Sequence, residues 1–118
     1  MKLAIIGSRG ILDFDLEPYV SESVTEIVSG GAKGIDTAAR LLAERRGLRL
    51  TEFLPEYGVY GRRAPLCRNE RIAAYADAVL AVWDGKSRGT AHTVKLFKDA
   101  NKPAEIVTVA SVNDENAK

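Results

Sequence analysis

Short apolar runs closed by glycine or proline alternate along this chain with stretches whose apolar residues recur every three or four positions. Leu3-Ala4-Ile5-Ile6 is unbroken and ends at Gly7, the pattern of a strand buried on both faces. Asp15 is placed to cap a first helix, with Pro18 in its first turn, where the missing N–H costs nothing. Ile27 and Val28 mark a second strand. Ile35, Ala38, Ala39 and Leu42 then share one face of a helix that stops near Gly47. Residues 50–54 read as a third strand closed by Pro55, and Pro65 opens a helix carrying Leu66, Ile72 and Tyr75. Ala78-Val79-Leu80-Ala81-Val82-Trp83 is the strongest strand pattern in the chain. A further helix is predicted over residues 90–100, stopped by Asn101 and Pro103, and a fifth strand over 106–109.

Strands alternating with helices predict an α/β fold, a Rossmann-like three-layer sandwich around a five-stranded parallel sheet. With strand order 3-2-1-4-5, the loops after strands one, two and four are neighbours, and ligands in such sheets bind beyond the carboxyl ends of the strands. Those loops are Gly7-Ser8-Arg9-Gly10, the segment 29–36, and the segment 84–90. Residues 1–110 are expected to form one domain, followed by a disordered polar tail over 111–118.

Composition removes several function classes. The chain has 118 residues, 46% apolar and 28% charged, with a formal net charge of +1, so no electrostatic footprint for duplex nucleic acid is expected. Arg62, Arg63, Arg68 and Arg71 still make one local basic cluster. A single cysteine, Cys67, and a single histidine, His92, argue against an intrachain disulfide and against a zinc centre. No metal and no required cofactor are expected. No apolar run approaches membrane-spanning length, which predicts no membrane association and a cytoplasmic location.

The chemistry concentrates in Ser29-Gly30-Gly31-Ala32-Lys33-Gly34-Ile35-Asp36. Paired glycines at a strand-to-helix turn let the backbone approach a ligand closely, and the helix start behind them offers unpaired N–H groups to a phosphate or carboxylate. A tight turn requiring positive φ would use the same residues. Neither the P-loop pattern nor the dinucleotide glycine fingerprint occurs, so neither a P-loop nucleotidase nor an NAD-dependent redox enzyme is predicted.

Four motifs in order, Gly7-Ser8-Arg9, the segment 29–36, Arg68-Asn69 and Asp84-Gly85-Lys86-Ser87-Arg88-Gly89-Thr90, resemble the SLOG superfamily of Rossmann-like nucleotide-binding proteins. The resemblance spans roughly residues 1–110. It is nearest to the small YspA/YpsA-related members, with the DNA-processing protein DprA and the LOG phosphoribohydrolases more distant. It implies a nucleotide or nucleotide-derived ligand. On the matching positions, the Gly30-Gly31 and Gly89-Thr90 turns would cradle its phosphate, with Lys33, Gly34, Asp84, Gly85 and Ser87 also ligand-binding. Gly7, Ser8 and Arg9 would border the same pocket. Arg68 and Asn69 match the arginine-containing helix motif, the arginine serving catalysis in the LOG branch. Asp36 would accept from a ribose hydroxyl, or else complement its helix dipole.

One departure bears on catalysis. LOG enzymes carry an acid–base glutamate three residues after the Gly-Thr pair, and that position here is Thr93. His92 is the nearest proton-transfer group, although adjacent helix positions point about 100° apart. Arg68 and His92 are therefore the catalytic candidates. Tyr57 and Tyr60, within 56–63 and beside Gly58 and Gly61, fit either a mobile lid with Arg62 and Arg63 or a plain surface loop. Trp83 is read as packing and Cys67 as structural. The reading adopted is a nucleotide-binding or sensing module, with a LOG-like hydrolase and a DprA-like single-stranded DNA module as alternatives. A homo-oligomer is expected, paired through the third and fourth helices with Leu96 and Phe97 as exposed candidates.

Overall fold

Alternate residues of the central strand supply two separate cores. The computed structural model describes residues 1–11, 13–31 and 34–109, and the predicted tail lies outside them. Strand β1 (Lys2–Gly7) turns Leu3 and Ile5 to one face of the sheet and Ala4 and Ile6 to the other, all buried. Strands β2 (Glu26–Ser29) and β4 (Ala78–Trp83) flank it and divide their side chains in the same way. With β3 (Arg49–Glu52) and β5 (Ala104–Thr108) at the edges, the sheet is wholly parallel in the order β3-β2-β1-β4-β5. The Rossmann-like α/β architecture read from the sequence is the one observed.

Helix α1 (Ile35–Arg46) covers one face through Ile35, Ala39, Leu42 and Ala43, and ends at Gly47 as expected. Helices α3 (Ala64–Tyr75) and α4 (Arg88–Asp99) cover the other through Ile72, Ala73, Val94 and Phe97. Pro65 sits in the first turn of α3. Between β3 and α3, the segment read as either a lid or a surface loop is a short helix, α2 (Tyr57–Tyr60), continued by a 3-10 turn at Gly61–Arg63. Tyr57, Val59 and Tyr60 are all exposed there.

Two expectations need correction. The helix predicted from Asp15 is only a 3-10 turn, Glu17–Tyr19. Asp15 accepts from the Glu17 N–H at 3.1 Å, a two-residue turn instead of a helix cap. The carbonyls that a longer helix would use are taken by Arg46, which donates to Val20 O at 2.6 Å and Glu17 O at 3.2 Å. Leu16, Val20 and Val24 are buried all the same, held by this brace. The second correction concerns Phe97, expected at an exposed pairing face. It is fully buried, because Thr90, Thr93, Val94 and Phe97 form the stripe that α4 lays on the sheet. Among the described residues, no helix is long and apolar enough to cross a membrane.

Candidate functional site

The order β2-β1-β4 brings three loops together beyond the strand ends, and between them and α3 lies a cleft of about 450 Å³. The loop after β1 contributes Gly7, Arg9 and Gly10, and the one after β2 contributes Gly30 and Asp36. The loop after β4 and the start of α4 contribute Asp84, Ser87, Gly89 and Thr90, while α3 contributes Arg68 and Asn69. Most residues expected in a binding site therefore line one concavity.

Arg68 is its best-anchored charge. Its Nε donates to Asn69 Oδ1 at 2.9 Å and its Nη1 to the Gly30 carbonyl at 3.1 Å. Burial draws its pKa below the ordinary guanidinium value; Asp36 and then Tyr57 act against that shift, and the charge of Arg9 adds to it. A guanidinium does not deprotonate, so the cost remains as a standing preference for a nearby anion. Arg9 is exposed at the same cleft and, among the described residues, makes no ion pair with a carboxylate.

The third loop is held by its own acid. Asp84 Oδ1 accepts the Lys86 and Ser87 N–H groups, each at 2.8 Å, and these bonds, Lys86 first, pull the carboxyl pKa below its usual range. Ser8, only 1% exposed, accepts from the Asp84 N–H at 3.1 Å and ties the first loop to the third. The Trp83 indole donates to the Ser87 carbonyl at 2.9 Å, so that ring braces the loop from outside the cleft. Ser87 and Thr90 hydroxyls lie 3.3 Å apart across the first turn of α4. Among the described residues, neither α3 nor α4 receives a side-chain cap at its N-terminus, and both begin at the cleft, leaving first-turn N–H groups for other acceptors.

Other expected residues fall elsewhere. Ser8 is sealed under the loops. Gly31, with φ of +71°, would aim a Cβ into the Leu54 side chain, off the cleft. Gly34 lines a separate groove between residues 13–16 and α1. Gly85 is exposed on the outer side of its loop, and Lys33 lies outside the described residues. His92 does not line the cleft; its Nδ1 lies 3.4 Å from Asn69 Nδ2.

Sequence reasoning missed one wall. Ile6, Pro65, Leu66 and Ile72 give the cleft an apolar side facing its charges. Leu66 and Ile72 lie three positions either side of Asn69, so the helical spacing of that residue was the available signal. Thr93, 2% exposed, lines the floor and donates its hydroxyl to the Gly89 carbonyl at 3.0 Å. Among the described residues no group of three or more histidine, cysteine or acidic side chains is placed to hold a metal ion. Compared with known proteins, the chain matches no protein-family model, no curated protein and no solved structure.

Proposed function

We propose that this protein binds a nucleotide or nucleotide-derived ligand in the cleft, as a binding or sensing module of the SLOG kind. The observation that carries the reading is Arg68, half-buried and fixed to Gly30, with the charge of Arg9 close enough to act on it. Asp36 offsets part of this charge, and two like charges converging on one cleft are further relieved by a bound anion. Asp84, also in the wall, is already satisfied by backbone N–H groups, and the uncapped start of α4 offers further donors. A phosphate sits between Arg9, Arg68 and the Gly89-Thr90 turn. The apolar side made by Leu66 and Ile72 takes the less polar part of the ligand.

Thr93 favours binding over cleavage. It occupies the position at which the resemblance implies an acid–base glutamate, it faces the cleft, and a threonine hydroxyl bonded to Gly89 supplies no carboxylate.

The test is a thermal-shift panel of AMP, ADP-ribose, NAD, free nucleosides and oligo-dT, with each hit assayed for breakdown. A ligand at about 100 times its Kd stabilises the fold by roughly 2.7 kcal/mol. A shift with a phosphorylated, intact nucleotide supports the reading. Release of free base replaces it with hydrolysis, and a shift with oligo-dT alone replaces it with single-strand binding.

A further inference from the structure

We infer that His92 is a positioning residue that makes the placement of Arg68, and hence anion affinity in the cleft, dependent on pH. The inference rests on the binding reading above for its effect on affinity, and on geometry alone for its effect on Arg68.

The chain of bonds fixes its own polarity. Arg68 Nε can only donate, so the Asn69 side chain must present Oδ1 to it, at 2.9 Å. The amide nitrogen of Asn69 is thereby turned to His92, 3.4 Å from Nδ1. An amide nitrogen also only donates, so Nδ1 accepts and the neutral ring carries its proton on Nε2. Asn69 is 6% exposed, which leaves little room for water to take over either contact. When the imidazole takes up a proton, Nδ1 becomes a donor facing a donor. The amide can relieve this by reversing, but its NH₂ then faces Arg68 Nε–H, and the guanidinium loses its anchor on α3. Either arrangement sets one donor against another at the buried Asn69 amide.

Other charges near α4 do not compete for this role. The helix packs on α3, β4 and β5. From α3 come Cys67, Arg68, Glu70, Arg71 and Tyr75; Arg71 is paired with Glu56 at 2.7 Å, and Tyr75 bonds Glu26. β4 brings no charged side chain and β5 brings Glu105. On α4 itself are Arg88, Lys95, Lys98 and Asp99, with Lys95 held by Asp99 at 2.8 Å. Among the described residues, only Arg68 is joined to the imidazole by a hydrogen-bonded path, through Asn69.

The experiment is a side-chain ¹⁵N NMR titration of the unliganded protein from about pH 8 to about pH 5.5. AMP affinity is measured over the same range for wild type and His92→Gln. Glutamine offers an uncharged acceptor that does not titrate. The expected result is an Nε2–H tautomer at high pH and an Arg68 Nε–H resonance that moves with the midpoint of His92. AMP binding should weaken roughly fivefold more in wild type than in His92→Gln on acidification, the loss of about one hydrogen bond. The variant comparison removes the titration of the AMP phosphate itself. An Arg68 resonance indifferent to His92, or identical AMP profiles in both proteins, overturns the inference. A coupled Arg68 resonance in a protein that binds no nucleotide at any pH upholds the relay and overturns the proposed function instead.

Discussion

Arg68 and Gly30 are fitted to one another: the guanidinium donates to the Gly30 carbonyl at 3.1 Å, and a Cβ on Gly30 would lie 2.5 Å from the same Nη1. The glycine is there for close approach, since its φ is not in the left-handed region. That contact joins the loop after β2 to α3 across the cleft, and it determines where a positive charge stands relative to the backbone donors.

Gly30→Ala should therefore displace the guanidinium without unfolding the protein, because the clashing atom is the end of a flexible side chain. Stability should fall by about 1 kcal/mol or less, while AMP affinity falls roughly tenfold. Gly31→Ala should do the opposite. Its φ of +71° strains any side chain by roughly 1 kcal/mol, but its Cβ faces Leu54 and leaves the cleft intact. Chemical denaturation and AMP titration of both variants check the pair. AMP affinity lost in Gly31→Ala and kept in Gly30→Ala would place the anion on the wrong side of this loop.

Acid sensitivity should trace in part to Asp84 and Glu26. Asp84 is held below its ordinary pKa by the N–H groups of Lys86 and Ser87. For Glu26, burial raises the pKa, but the hydroxyls of Tyr75, at 2.6 Å, and Thr51, at 2.7 Å, more than offset it. A depressed folded pKa adds stability that is complete above the unfolded value, near pH 4, and is lost as pH falls through the folded value beneath it. Asp84→Asn keeps an acceptor but does not ionise. The stability gap between it and wild type, from urea midpoints, should narrow on going from about pH 7 to about pH 3. A gap constant over that range would separate Asp84 from the acid transition.

The strand order and the convergence of three loops were legible because parallel strands buried on both faces leave continuous apolar runs, such as 3–6 and 78–83. Direction within a loop was not legible. Gly30 and Gly31 are adjacent and chemically identical, yet one faces Arg68 and the other Leu54. Ser8 looked like a ligand donor because its partner, the Asp84 N–H, comes from a loop 76 residues away. The segment 15–20 carried helical cues, and the long reach of Arg46 from α1 to the Glu17 and Val20 carbonyls could not be read from them.

Phe97 puts the misread face of α4 to the test. As a fully buried ring beside Val94 and Ile72, its replacement by alanine should cost about 3–5 kcal/mol. Leu96→Ala, at a partly buried neighbour, should cost clearly less. Equal midpoints for the two variants in a urea melt would mean that Phe97 does not carry this core.

Trp83 links the strongest strand to the mouth of the cleft, and its indole is predicted to act through one bond. Trp83→Phe keeps most of the apolar ring but removes the 2.9 Å bond from Nε1 to the Ser87 carbonyl. That carbonyl also accepts from the Ala91 N–H at 3.3 Å, so the loss is partial and should cost about 1 kcal/mol or less. The effect should concentrate on the loop after β4. Amide exchange at Lys86 and Ser87, whose N–H groups rest on Asp84, should accelerate while amides of β4 stay protected. AMP affinity should drop modestly, since Thr90 and Gly89 belong to the turn that the indole steadies. Uniform acceleration across β4 and the loop would make Trp83 an ordinary core residue and remove it from any role in shaping the cleft.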